Sequence, residues 1–227
     1  MIHTIANTPM FGLALTFFTY GIGVLINRRL KSPFAHPMLI ATILSIAVLV
    51  GFDIPLSAYQ QGGDFLSLLI FPATTCLAVV VYEKIQLLKE QALPVLVGCT
   101  IGSLASIGSV WALAKVVGLP NVITFSITPK SVTAAIAIEL AELMGGVASF
   151  AVMAVLISGL SIVMFAPILI KLFHIQDPIV QGVALGTSGH LLGTAKALEY
   201  GSAQGAMGGI ALFITSLTTI AAVLLIF

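Results

Sequence analysis

Over residues 93–117, and again over 149–173, the chain runs on almost without charge. About 20 apolar residues in a helix cross the roughly 30 Å hydrocarbon core of a bilayer, so each run is long enough to span. Further apolar runs lie at 11–26, 37–51, 65–82 and 206–227. Of all 227 residues, 59% are hydrophobic and 7% charged, where a soluble domain carries roughly 25% charged residues. A water-facing globule is excluded. Nine Lys+Arg against eight Asp+Glu leave a formal net charge of +1, which gives no footprint for nucleic acid. The expected fold is an all-α integral membrane protein, one polytopic domain over 1–227 with about seven or eight transmembrane helices.

Cys76 and Cys99 sit inside apolar segments without metal-ligand spacing, and read as small buried residues. No basic leader or small-residue cleavage site marks the N-terminus, so the first run reads as a retained span. Two stretches are not clean spans. Residues 119–146 carry Pro129, Lys130, Glu139 and Glu142, and residues 179–199 are crowded with Gly, Thr, Ser and one His. Helices must break in both, and broken backbone survives at membrane depth only inside protein or beside a watery cavity.

Basic residues set the orientation. Arg28, Arg29 and Lys31 put the first loop in the cytoplasm, Asp53 and Asp64 mark an outer loop, and Lys84 and Lys89 return inside. Lys171 falls inside only if 119–146 does not cross, so that stretch is expected as a re-entrant hairpin or a pair of half-helices. The N-terminus is then outside. A shift of 115 residues lays Pro72 over Thr187 and the Ser103 region over Thr218, which suggests an inverted repeat of about 27–117 and 119–227.

Three segments carry polar groups that an apolar bundle does not need. Pro72 removes a backbone donor and exposes the carbonyl one turn earlier; Thr74 and Thr75 repair that backbone or bind a ligand. In the second, Thr128-Pro129-Lys130-Ser131-Val132-Thr133, a helix expected to begin at Lys130 offers free N–H groups, an ammonium and three hydroxyls to an anion. The alternative is a lysine snorkelling to the interface; against it, an ionisable residue inside a membrane marks function by default. The third, residues 186–195, combines Gly186, Gly189 and Gly193 with Thr187, Ser188, His190 and Thr194. Here His190 is either a satisfied buried histidine or a proton carrier, and Lys196 pairs with Glu199 or serves as a ligand. No nucleotide loop, zinc spacing or nucleophile elbow is present, so no enzyme and no cofactor or metal is expected.

The Pro129–Thr133 run and the Gly-Thr-x-x-His-x-x-Gly-Thr-Ala run from Gly186 to Ala195 resemble the LrgB/CidB membrane protein family, which is related to the C-terminal half of the plastid glycolate/glycerate transporter. Residues 36–41 and 71–82 match more loosely. The chain departs from the family pattern at His36, at Ala134-Ala135 and at Gly189. The resemblance implies a multi-pass protein of the bacterial cell membrane, in contact with lipid, and two roles. One is a carrier of small 2-hydroxy or 2-oxo monocarboxylates (glycolate, glycerate, lactate or pyruvate). Lys130 would hold the carboxylate, the hydroxyls of Thr128, Ser131, Thr133, Thr187, Ser188 and Thr194 and the Pro72–Thr75 break would surround it, and His190 would take a coupled proton. The other is an antiholin-like regulator of murein hydrolase activity, cell lysis and programmed cell death, acting with a smaller LrgA/CidA-type holin-like partner. A homodimer is expected, because a moving unit needs a fixed scaffold.

Overall fold

The computed structural model describes residues 8–30 and 35–226, except for the side chains of residues 70, 71, 74, 87 and 88. Lys31 and residues 1–7 and 227 lie outside that set. All regular structure among the described residues is helical, in agreement with the all-α expectation: α1 Pro9–Leu30, α2 Pro37–Gly51, α3 Leu56–Ser67, α4 Ile70–Glu83, α5 Ile85–Glu90, α6 Ala92–Val117, α7 Asn121–Ile127, α8 Ala134–Leu143, α9 Ala148–Leu172, α10 Pro178–Tyr200 and α11 Ser202–Ile226. Four of these, α1, α6, α9 and α11, are long and apolar enough to cross a membrane, and α2 is a shorter apolar helix. The expected seven or eight spans are therefore realised as fewer full-length rods plus shorter and broken pieces. The chain divides into two compact units, Met1–Cys76 and Leu77–Phe227.

In the first unit α1 packs against α2 and α3. Gly12 lets α1 approach the α3 backbone so closely that a Cβ there would lie 3.0 Å from the Gly62 Cα. Hydroxyls then bridge the helices, Thr16 to Tyr59 at 2.8 Å and Thr19 to Ser45 at 3.1 Å, as small and hydroxyl residues do in lipid. The expected span over 65–82 is divided. Helix α3 ends at Ser67 and α4 begins at Ile70, a break one turn before Pro72, where the Leu68 carbonyl loses its usual donor.

The second unit holds two chain reversals. Along α10, His190 adopts φ 43° and ψ −132°, and the helix does not continue through it. In a straight helix Leu185 and Gly193 would be about 12 Å apart; here a Cβ on Gly193 would collide with the Leu185 carbonyl oxygen. The partners along α11 give the directions. Before His190, Gly182 meets Gln204 and Gly186 meets Gly208, a parallel run; after it, Thr194 and Ala197 meet Gly208 and Leu198 meets Gly205, an antiparallel one. Residues 178–200 are a helical hairpin with its tip at Ser188–His190.

Helices α7 and α8 form the other hairpin. Ser126 Oγ accepts from the Val147 N–H at 2.7 Å, and a Cβ on Gly146 would lie 2.8 Å from the Ser126 nitrogen. The chain has therefore come back to Ser126 by residue 147. Its tip is the turn at residues 128–133, closed by Lys130 N–H to Ile127 O and Val132 N–H to Pro129 O, both at 3.3 Å.

Helix plus hairpin occurs twice. A shift of 57 residues lays Asn121 over Pro178 and Leu143 over Tyr200. A shift of 56 lays Gly118, at φ 74°, over His174, at φ 51°. Each ends its helix with the same capping bond, Leu119 N–H to Ala114 O at 2.8 Å and Ile175 N–H to Ile170 O at 3.0 Å. A hairpin returns to the face it left, so α9 runs opposite to α6 and the two copies are inverted. With Lys84 and Lys89 inside, the first hairpin enters from outside and the second from inside.

That topology predicts labelling. In a background without Cys76 and Cys99, Leu119→Cys and Val147→Cys should both react with an impermeant maleimide from outside. Gln176→Cys and Ser202→Cys should react only after permeabilisation. Labelling of positions 119 and 147 from opposite faces would mean that 121–143 crosses.

Candidate functional site

The two tips converge on the middle of α6 and on one stretch of α9. From the outer end of α6 at Val117, Ser106 lies about 16 Å deep at 1.5 Å per residue, half of a roughly 30 Å core. There Lys130 Nζ donates to Ser106 Oγ at 2.5 Å and sits 3.5 Å from Ser131 Oγ, while Ser106 and Ser131 share a 2.9 Å bond. One helical turn away, Thr187 from the other tip meets Gly102 and donates to Cys99 Sγ at 3.5 Å. On α9, Val155 shares a buried apolar cluster with Val132 of the first tip, while its carbonyl bonds His190 Nε2 of the second at 2.9 Å. Ser158, one turn on, donates to the Ser188 carbonyl at 3.4 Å.

Lys130 is half-buried, and among the described residues no carboxylate pairs with it. The ion pair that does form is Lys196 to Glu199 at 2.6 Å, on the second hairpin's returning arm. Glu139 and Glu142 are exposed. Lys130 lines an apolar-walled groove of about 410 Å³, open along one side, between α6, α9 and the first tip. An ammonium held only by hydroxyls at this depth costs free energy that an anion would offset.

His190 is 4% exposed. A carbonyl only accepts, so Nε2 carries the hydrogen toward Val155, and a coupled proton would have to load on Nδ1. Gly159 leaves room for the ring; a Cβ there would sit 2.6 Å from His190 Nε2. The positive φ is sparsely populated for a residue with a side chain. Such strain persists where surroundings over-determine it, here the Val155 bond and the packing of Gly189 on Ile162.

Other expected site residues do different work. Thr128 donates to Thr124 O at 2.7 Å and accepts from Trp111 Nε1 at 3.0 Å, and Thr194 donates to His190 O at 3.0 Å. Both serve the backbone of the tips. Thr133 is the N-cap of α8 and makes no side-chain capping bond. Helix α8 begins at Ala134, not at Lys130, because the N–H groups of Lys130 and Val132 are used in the turn. The free helix-start donors expected directly after Pro129 are therefore displaced by about one turn. Pro72 and Thr75 are exposed on α4 in the first unit, and the Thr74 side chain lies outside the described residues. Ser106, Ser158 and the Val155 carbonyl are the contributors that sequence reading misses. The Ser103, Ser106, Ser109 spacing marks a polar stripe in an otherwise apolar span, without distinguishing which serine holds the lysine.

Comparison with known proteins shows the family. The LrgB-like family model matches residues 16–227. The chain is 32% identical over 214 residues to antiholin-like protein LrgB of Bacillus mycoides (strain KBAB4), covering 94% of this chain and 93% of that protein. The same identity and coverage hold for antiholin-like protein LrgB of Bacillus cereus (strain B4264) and of Bacillus anthracis (strain CDC 684 / NRRL 3495). The chain belongs to the LrgB-like family. It is a multi-pass bacterial membrane protein. No solved structure matches it.

The reversal at His190 depends on Gly193. Gly193→Ala should force the hairpin arms apart and lower stability by about 1–3 kcal/mol, the usual cost of overpacking. Gly98, which faces open space on α6, should accept alanine without loss. Thermal unfolding of both variants in detergent checks the contrast; equal melting temperatures would refute the close contact.

Proposed function

We propose that this LrgB-type protein is antiholin-like, restraining murein hydrolase activity and lysis together with a smaller holin-like membrane protein, and that it does so by carrying small monocarboxylates. The names of its relatives support the antiholin-like part more directly than they support any substrate. The carrier part rests on one observation: the Lys130 ammonium lies at a hairpin tip about halfway down α6, bonded to Ser106 and Ser131 and to no carboxylate. A 2-oxo or 2-hydroxy acid supplies the missing charge, and its second oxygen suits the hydroxyls of Ser131, Thr187 and Ser188. His190 Nδ1 is the group that would take up a coupled proton.

Inverted repeats whose half-helices enter from opposite faces are the architecture in which one site opens alternately to each side. Here the first hairpin would close the outer path and the second the inner one. Acid flux would then drive the lysis phenotype, so the two roles are one activity seen at two levels. Homodimerisation supplies the fixed scaffold in this scheme.

Proteoliposomes with the purified chain alone should take up labelled pyruvate or glycolate saturably, and Lys130→Ala should lower uptake about 10- to 100-fold, the loss of a hydrogen bond to a charged group. In cells the same variant should lose control of lysis. Uptake that Lys130→Ala leaves unchanged would remove the carboxylate reading; lysis control that survives lost uptake would separate the two roles.

A further inference from the structure

The open groove at Lys130 is larger than a two- or three-carbon acid requires. Its volume of about 410 Å³ falls within the range of roughly 300–1,000 Å³ typical of drug-sized ligands. Beside Lys130 and Ser158 its walls are apolar, from the buried Val110 and Ala114 outward to Leu113, Val117, Met153 and Ile157, which are half or more exposed, so the groove is open along one side. The site thus pairs one uncompensated cation with a long greasy wall. Pyruvate or glycolate would satisfy the cation and leave most of the wall unfilled. An amphiphilic acid would satisfy both.

Building on the carboxylate reading above, we propose that this site selects 2-oxo and 2-hydroxy monocarboxylates bearing an apolar chain of roughly three to six further carbons. The carboxylate meets Lys130 and the chain lies along Val110, Ala114 and Ala154. Charge complementarity names the head group, and the character of the walls names the tail. Burial of each added methylene strengthens binding about fourfold, so chain length is the discriminating variable.

The test uses the intact chain in nanodiscs of zwitterionic lipid and the series pyruvate, 2-oxobutanoate, 2-oxopentanoate and 2-oxohexanoate. Binding is read by equilibrium dialysis and by fluorescence of Trp111, the chain's single tryptophan, whose indole donates to Thr128 on the first tip. The dissociation constant should fall about fourfold per methylene, roughly 60-fold across the series. Ala154→Phe, which fills the groove, should compress that range to about twofold. Ile157→Ser, at an exposed wall position that tolerates change, should shrink it as well and guards against a misfolded Ala154→Phe protein. Equal affinity along the series, lost in Lys130→Ala, would overturn the chain-length inference and leave the carboxylate reading standing. Binding that Lys130→Ala does not affect, or no binding at all, would overturn both. An undiminished ladder in both wall variants would place the tails in bilayer lipid and overturn the location.

Discussion

Hydrocarbon offers no hydrogen bonds, so a chain that turns back inside a bilayer must bring its own partners to every amide it frees. The second unit meets that demand twice, by direct backbone contact. Gly193 rests on the Leu185 carbonyl and Gly146 on Ser126, which brings the arms of each hairpin together, and Gly186 rests on Gly208, which seats the second hairpin on α11. Remaining groups are taken up by hydroxyls: Ser126 bridges Val122 and Val147, Thr128 holds Thr124, and Thr194 holds His190. Stability and location of the site are therefore one problem. The tips can exist only where α6 and α9 shield them, and both helices do so at their middles.

Inversion explains why both tips reach the middle of α6, and sequence divergence between the copies explains why that region is polarised. Under the 57-residue shift Lys130 corresponds to Thr187, Ser131 to Ser188 and Thr133 to His190. One copy brings a charge, the other an imidazole, and both bring hydroxyls. A symmetric pair of lysines would repel across the short distance between Gly102 and Ser106 on α6. A single cation with neutral donors from the other copy leaves the region with one net positive charge and avoids that repulsion.

Much of this is legible in the residues. Prolines and glycines in 119–146 and 179–199 locate both breaks, since neither residue type continues a helix in lipid without a reason. Lys171 on the inner side already requires that 119–146 return to its own face. The direction of the chain after His190 is not legible, because glycine-rich helices and glycine-rich hairpins share a composition and only the Leu185–Gly193 contact separates them. Nor is Ser106, for a serine in an apolar span reads the same whether it packs, bonds its own backbone or holds a lysine. The start of α8 is misplaced for a similar reason: Pro129 opens a turn as readily as a helix.

The same logic bears on His190. A histidine kept only to fill space would not need a backbone conformation that favours glycine, nor a glycine at position 159 to admit its ring. What this geometry secures is a ring fixed at one nitrogen by the Val155 carbonyl, on the same α9 residue whose side chain joins the buried cluster that holds Val132 of the first tip. Val155 therefore contributes to the surroundings of both tips, by its carbonyl to the second and through its buried cluster to the first. His190 is thus held at its backbone, at one ring nitrogen and by the packing of the neighbouring Gly189 on Ile162, more constraint than burial alone demands.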